Sequence, residues 1–308
     1  MIRAKTFAVS LARAEALGLL ADVFRGSGAA EPVREARLTL CAACGLTPAD
    51  LIRSPDQPLG AAAARLAEFA ERRALGEPLS RIVGKREFWG IALSISPDVL
   101  DPRPETETIV ATALALFHGR RGRSLRILDL GVGSGALLCA LLREFPRAHG
   151  VGVDISPAAA AVARGNVEAC GLGDRAEIRV GGWTEGFEGE FDLIVSNPPY
   201  VRSADIDTLP PEVRNYDPRV ALDGGDNGLD AYRIILPSSA KLLAPGGWLL
   251  AEMGAGRETE LLAMAAHAGF RDCASKPDLA GVARVLAAGS PRASQGSCDR
   301  YGVAIAGP

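Results

Sequence analysis

Apolar residues recur at helical spacing in residues 3–20, 31–45 and 59–75, within an opening segment rich in Ala, Leu and Arg. The spacing predicts a small bundle of amphipathic helices. Gly26-Ser27-Gly28 and the three prolines within residues 47–58 separate these helices. Between residues 79 and 100 the pattern changes to short strand-like pieces: Arg81-Ile82-Val83-Gly84, then Arg86-Glu87-Phe88-Trp89-Gly90, then the alternating Ile91, Leu93 and Ile95. They predict a β-hairpin that joins two domains.

Pro102-Arg103-Pro104-Glu105-Thr106-Glu107 then sets prolines and carboxylates where a helix N-terminus favours them. Beyond it, strand and helix patterns alternate. Strands are predicted at 125–130, 150–154, 176–180, 191–196 and 248–253, with Val282-Ala283-Arg284-Val285-Leu286 as a last one. Helices are predicted at 136–145, 157–169, 229–243 and 257–268. This order predicts an α/β fold, a mostly parallel sheet covered by helices on both faces. The domain organisation reads as a helical domain in 1–78, a hairpin and hinge in 79–104, the α/β domain in 105–288, and a poorly ordered tail in 289–308. Residues 201–228, which carry Pro210-Pro211 and Asp217-Pro218, form a long insert that reads as either a lid or a disordered surface loop.

Composition narrows the function classes. The 308 residues include 34 Lys and Arg against 37 Asp and Glu, a net charge of −3, so no global cationic field gathers phosphates. A nucleic-acid substrate is disfavoured on that ground. Six cysteines scattered in a 48% hydrophobic chain without a secretory apolar segment point to the cytoplasm. Cys41 and Cys44 form a CxxC, yet no second pair stands at zinc spacing, and small core residues are the better reading. His118, His149 and His267 lie far apart, so neither a metal nor a histidine base is assigned. No apolar run approaches a membrane span.

Two segments carry the chemistry. Gly131-Val132-Gly133-Ser134-Gly135 follows a predicted strand and opens a predicted helix, so its main chain and the free N–H groups of the helix start can approach a ligand. Asp154 ends the next strand, where a carboxylate can accept both hydroxyls of a ribose or cap the following helix. These features suit S-adenosylmethionine or a dinucleotide equally. Trp183 follows the third strand and suits either an adenine contact or the core. Asn197-Pro198-Pro199-Tyr200, directly after the strand 191–196, separates the two cofactors. An amide or exocyclic amino nitrogen is a poor nucleophile, and a site that methylates one must hold its N–H groups while presenting the methyl in line. Asn197 supplies an acceptor oxygen, Pro198 a carbonyl with little conformational freedom, and Tyr200 a wall for the flat group.

The residues quoted above resemble the bacterial release-factor glutamine methyltransferases of the class I methyltransferase superfamily over nearly the whole chain. The match rests on Gly84-Lys85-Arg86-Glu87-Phe88-Trp89 with the stretch from Pro102 to Glu107, on the glycine loop with Asp154, and on Asn197-Pro198-Pro199-Tyr200. The stretches Glu212-Val213-Arg214, Ala221-Leu222-Asp223-Gly224-Gly225 and Asp278-Leu279-Ala280-Gly281 also resemble the family.

The resemblance implies a Rossmann-like, seven-stranded, mostly parallel sheet. It implies S-adenosylmethionine on the glycine loop, its ribose on Asp154, its adenine beside Trp183, and Asn197 touching cofactor and substrate. The glutamine of a release factor's Gly-Gly-Gln loop would enter at Asn197, Pro198, Pro199 and Tyr200. Separately from the resemblance, a monomer is expected. One departure stands out: Gly182 occupies a position where the family usually has an acid, so Trp183 and main-chain carbonyls would have to substitute. The rival readings are an adenine or guanine amino methyltransferase, a ribosomal-protein glutamine methyltransferase, a non-catalytic S-adenosylmethionine-sensing or translation-factor-binding module, and a nicotinamide oxidoreductase.

Overall fold

The computed structural model describes residues 7–291, which divide into two compact units. The first holds the described residues up to Arg86 with Ile95–Pro97 and Thr208–Asp217. The second holds Glu87–Ser94, Asp98–Asp207 and the described residues from Pro218 onward.

In the first unit, α1 (Arg13–Gly26), α2 (Pro32–Cys44), α3 (Pro48–Arg53) and α4 (Ala62–Ala74) surround a core that includes Leu20, Phe24, Leu40 and Leu66, and α5 (Leu79–Val83) follows them. Cys41 packs in that core. The α2 and α4 spans match the predicted helices closely, but α1 begins only at Arg13; residues 3–6 of its predicted span lie outside the described residues. Residues 9–13 instead exchange backbone hydrogen bonds with 57–60, Leu59 N–H donating to Leu11 O at 2.9 Å and Arg13 N–H to Gln57 O at 3.0 Å. Two further corrections concern short helices. Within the proline-rich stretch, Thr47 and Asp50 form a reciprocal capping box and Pro48 sits at the first helical position, which starts α3. Arg81-Ile82-Val83 is helical rather than extended, because Gly84 takes a left-handed conformation (φ 70°) and closes α5 by donating to Ser80 O.

The hairpin is present as β1 (Lys85–Phe88) and β2 (Ile91–Ser94). The second unit then runs α6 (Glu107–Leu116), β3 (Arg126–Leu130), α7 (Ala136–Glu144), β4 (His149–Asp154), α8 (Pro157–Ala169), β5 (Ala176–Val180) and β6 (Phe191–Ser196). After α9 (Pro211–Arg214), which lies in the first unit, it continues with α10 (Asp230–Leu242), β7 (Leu243–Glu252), α11 (Glu258–His267), β8 (Arg271–Pro277) and β9 (Ala283–Gly289). The seven strands order as β5-β4-β3-β6-β7-β9-β8, parallel except for the antiparallel pairs β7/β9 and β8/β9.

Alternation along the central strands explains the two covered faces. Ile127, Leu193 and Leu250 pack into the layer with Ile109 of α6, Leu138 of α7 and Ala163 of α8. Their neighbours Leu128, Ile194 and Leu249 point to the opposite layer, with Leu236 of α10 and Leu261 of α11.

The pattern in the sequence does not reveal β8, whose residues Arg-Asp-Cys-Ala-Ser-Lys-Pro lack apolar alternation. It is an edge strand paired only with β9, and an edge needs little burial. The expected tail at 289–308 also needs trimming: Gly289 ends β9 and Ser290 is buried, while 292–308 lie outside the described residues. The insert at 201–228 is ordered into short turns, its ends joined by Val201 N–H donating to Leu222 O at 3.0 Å and Gly224 N–H to Val201 O at 2.8 Å. The disordered-loop reading therefore falls.

Candidate functional site

The chain fills β3, β4 and β5 in one direction and returns to place β6 on the other side of β3, so the loops after these strands meet at one carboxyl edge. Ligands of open α/β sheets bind in such a crevice. A cavity of about 450 Å³ lies there, entirely within the second unit.

After β3 the chain turns through Gly131, Gly133 and Gly135, all at positive φ, and the N–H groups of Gly131 and Val132 both donate to Val153 O at 2.9 Å. A Cβ on Gly131 would stand 3.5 Å from the Trp183 ring, so this turn lies directly against the indole. Asp154 at the end of β4 accepts from Gly133 N–H through Oδ2 and from Ser156 N–H through Oδ1, both at 2.9 Å. Helix α8 is capped by Ser156, whose hydroxyl accepts from Ala159 N–H, and not by Asp154. The Asp154 carboxylate is thus held rigidly at the cavity wall.

Asn197-Pro198-Pro199-Tyr200 leaves the end of β6, which is tied to β3 by the Ser196 hydroxyl donating to Leu130 O at 2.7 Å. Asn197 donates through Nδ2 to Thr106 Oγ1 at 3.2 Å, and Thr106 donates to Glu252 Oε2 at 2.5 Å. Tyr200 donates to the other Glu252 oxygen at 3.1 Å. Glu252 is buried at the end of β7, and burial raises its pKa against the opposing hydrogen bonds from Thr106 and Tyr200. Burial raises the Tyr200 phenol as well, with the Glu252 charge adding to it.

The glycines of the insert complete this edge. A Cβ on Gly228 would stand 2.4 Å from the Tyr200 carbonyl oxygen, and one on Gly224 would stand 2.8 Å from the Pro199 carbonyl oxygen. Backbone therefore packs on backbone, with no room for a side chain.

Among the residues singled out in the sequence, Gly131, Val132, Gly133, Ser134, Asp154, Trp183, Asn197 and Pro199 line the cavity. Gly135 and Pro198 do not; Gly135 serves as the N-cap of α7, and Pro198 stands between two lining residues. Tyr200 faces a second cavity of about 490 Å³ with Gly254 and Arg257.

Sequence reasoning missed several lining or supporting groups. Asp129 is 1% exposed, lines the cavity, and has no hydrogen-bond partner on either carboxylate oxygen. Burial pushes its pKa to about 7, and the Asp154 charge adds to the rise. Glu185 also lines the cavity, beside Gly182. Thr106 and Glu252 were hidden because they lie 146 residues apart. The glycine loop carried the only advance signal for Asp129, which stands two residues before Gly131 on β3.

Among the described residues no cluster of His, Cys, Asp or Glu could hold a metal ion, and no helix is long and apolar enough to cross a membrane. The cavity walls suit S-adenosylmethionine: an unpartnered buried carboxylate for an ammonium group, a fixed carboxylate for a diol, and an indole for a purine.

Comparisons with known proteins agree with this architecture. Residues 109–209 match the Methyltransferase small domain family, and residues 15–84 match the PrmC N-terminal domain. A release factor glutamine methyltransferase of Bradyrhizobium diazoefficiens is 47% identical over 273 residues, covering 87% of this chain and 92% of that one. One of Geobacter sulfurreducens is 44% identical, covering 86% of this chain and 93% of its own. Among solved structures, the hMettl16 catalytic domain in complex with the MAT2A 3'UTR hairpin 6 superposes with a TM-score of 0.56 at 18% identity, covering 72% of this chain and 82% of that one, which is a likeness of fold. Sheet order, helical opening unit and sequence identity over most of the chain lead to one assignment: the chain belongs to the release factor glutamine methyltransferase family.

Proposed function

We propose that this protein transfers a methyl group from S-adenosylmethionine to the side-chain amide nitrogen of the glutamine in a release factor's Gly-Gly-Gln loop. The observation that carries the reading is that Asn197 and Pro199 line the same cavity as Gly131, Asp154 and Trp183, so an amide site and a nucleoside site share one space. S-adenosylmethionine, when bound, supplies an electrophilic methyl on a sulfonium. Asp129 would hold its ammonium group, Asp154 its ribose, and Trp183 its adenine, with the Glu185 carboxylate serving in place of an acid at position 182.

Asn197 Oδ1 and the Pro198 carbonyl accept the two hydrogens of the glutamine amide. The nitrogen is thereby held with its lone pair toward the methyl, while Tyr200 braces the site from behind through Glu252. Positioning of this kind accounts for most of the rate such a reaction needs. No strong base is required, because the nitrogen becomes acidic only as the methyl is transferred, and its proton then leaves to water. Val220, Ala221 and Asp223 of the insert line the cavity, which supports a covering role for that end of the loop. The helical unit, which contains none of the cavity-lining residues, would grip the release factor in the cytoplasm.

Mass spectrometry of a release factor incubated with the enzyme and labelled S-adenosylmethionine tests cofactor, reaction and target together. Label is expected on the loop glutamine and absent when that glutamine is changed to glutamate, which offers no nitrogen. Label in DNA, RNA or a ribosomal protein, with none in the release factor, would replace this reading with a rival.

A further inference from the structure

An asparagine side chain presents either its oxygen or its NH₂ group depending on a half-turn of the amide, and the two ends have nearly the same shape. Only the oxygen end can accept a substrate N–H. Something must therefore choose which end of Asn197 faces the cavity.

The hydrogen-bond chain behind Asn197 makes that choice. Glu252, at the end of β7, is 2% exposed, and as a carboxylate it has no hydrogen to give. Its two oxygens are met by two hydroxyls, Thr106 at 2.5 Å and Tyr200 at 3.1 Å. Arg284, the cation whose charge reaches Glu252, bonds to Asp278 at 3.1 Å. A threonine hydroxyl owns one hydrogen. Once Thr106 spends it on Glu252, only lone pairs remain, and these can do nothing but accept. The group 3.2 Å away on Asn197 must then be the donor Nδ2, so Oδ1 is turned the other way. The flipped amide would set Oδ1 against the lone pairs of Thr106 and offer NH₂ to a substrate amide that also brings N–H groups, two unfavourable contacts at once.

We propose that Thr106 and Glu252 are positioning residues, a directional relay that fixes the amide of Asn197 with its acceptor oxygen toward the glutamine. Neither residue needs to touch the reacting atoms. The relay joins Thr106, the N-cap of α6, to the ends of β6 and β7, and it explains why a buried acid stands on β7 without an ion pair to a cation in this network. The inference rests on the reading of Asn197 as the acceptor for the substrate amide.

The test compares Thr106→Val, Thr106→Ser and Asn197→Ala in the full-length enzyme. It measures S-adenosylmethionine affinity by calorimetry, kcat and KM with an intact release factor, and thermal unfolding. Thr106→Val keeps the shape and removes the hydroxyl. It is expected to lower kcat by about tenfold or more, in the direction of losing an oriented hydrogen-bond acceptor, with cofactor affinity within about threefold. Thr106→Ser restores the hydroxyl and is expected to recover most of kcat. In the double variant Thr106→Val/Asn197→Ala, the loss should be no greater than that of Asn197→Ala alone, since the relay acts only through that residue.

Three results would overturn the relay: unchanged kcat in Thr106→Val, equal damage in the valine and serine variants, or a loss of cofactor affinity that matches the loss of turnover. If Thr106→Val does not fold, Thr106→Ala enters the same comparison. Asn197→Ala separates the two levels of the argument. Normal turnover in that variant removes Asn197 from the reaction, whereas an inactive Asn197→Ala beside a fully active Thr106→Val removes the relay alone.

Discussion

The carboxylate oxygens of Glu185 lie 3.3 Å from the point that a Cβ on Gly182 would occupy. Glu185 thus fills the space that an acidic side chain at 182 would enter, and it does so from three residues further along the turn, where its own N–H donates to Gly182 O at 2.9 Å. With adenine beside Trp183, Glu185 would supply the carboxylate that position 182 lacks.

Adenine recognition should therefore depend on Glu185 together with Trp183. Glu185→Ala is expected to weaken S-adenosylmethionine binding by about 1 kcal/mol, the usual net worth of one hydrogen bond, and Trp183→Ala by a comparable amount. Gly182→Asp alone sets two carboxylates together and should weaken binding, while Gly182→Asp combined with Glu185→Ala should recover it. Calorimetry that finds the double variant no better than either single one would remove Glu185 from the adenine site.

Asp154 holds two backbone N–H groups and faces the cavity. Its replacement by alanine leaves those donors unmet as well as any ribose hydroxyl. A loss of roughly 1–3 kcal/mol in cofactor binding is expected. Unchanged affinity would mean that the nucleoside lies elsewhere.

Asp129 should make the cofactor-free protein sensitive to pH. Its folded pKa of about 7 lies above the ordinary 3.8, so the folded state holds a proton that the unfolded chain gives up. Below about pH 4 the carboxyl is neutral in both states and carries no penalty. Between about pH 4 and 7 its contribution to stability falls as pH rises, and above that range the loss is complete, on the order of a few kcal/mol. Asp129→Asn removes this slope. Thermal unfolding from pH 5 to 8 should show the variant gaining on the wild type as pH rises, and a constant gap would show that Asp129 does not titrate there. Cofactor affinity of the wild type should increase over the same window, as the carboxylate forms that meets the ammonium group.

Gly228 has φ 75° and no space for a Cβ beside the Tyr200 carbonyl. Gly228→Ala is expected to cost about 1–3 kcal/mol of stability through the forced backbone shift. Because the shift falls on Tyr200, kcat should drop more than cofactor affinity. A stable variant with normal turnover would show that the insert and the Asn197-Pro198-Pro199-Tyr200 backbone move independently.

Local pattern was enough for much of this molecule. Strands β3, β4, β5 and β6 and helices α7 and α8 stand within a residue of where apolar spacing and turn residues place them, because each is a short run whose buried face repeats at a fixed period. The edge strand β8 and the short helices α3 and α5 were not legible in the same way. An edge strand needs few apolar residues, and the two helices are determined by single capping positions, Thr47 with Asp50 and Gly84.

By itself, the sequence determined the fold class, the glycine turn, the family and the four-residue run after β6, since each is written in contiguous residues whose chemistry depends on spacing alone. Only the tertiary structure decided which groups stand around them. Thr106 and Glu252 become partners because α6 begins where β7 ends, and Glu185 meets Gly182 because the turn after β5 folds back on itself. The charge state of Asp129 belongs to the same class: burial and the nearness of Asp154 set it, and both are distances in space that no spacing along the chain encodes.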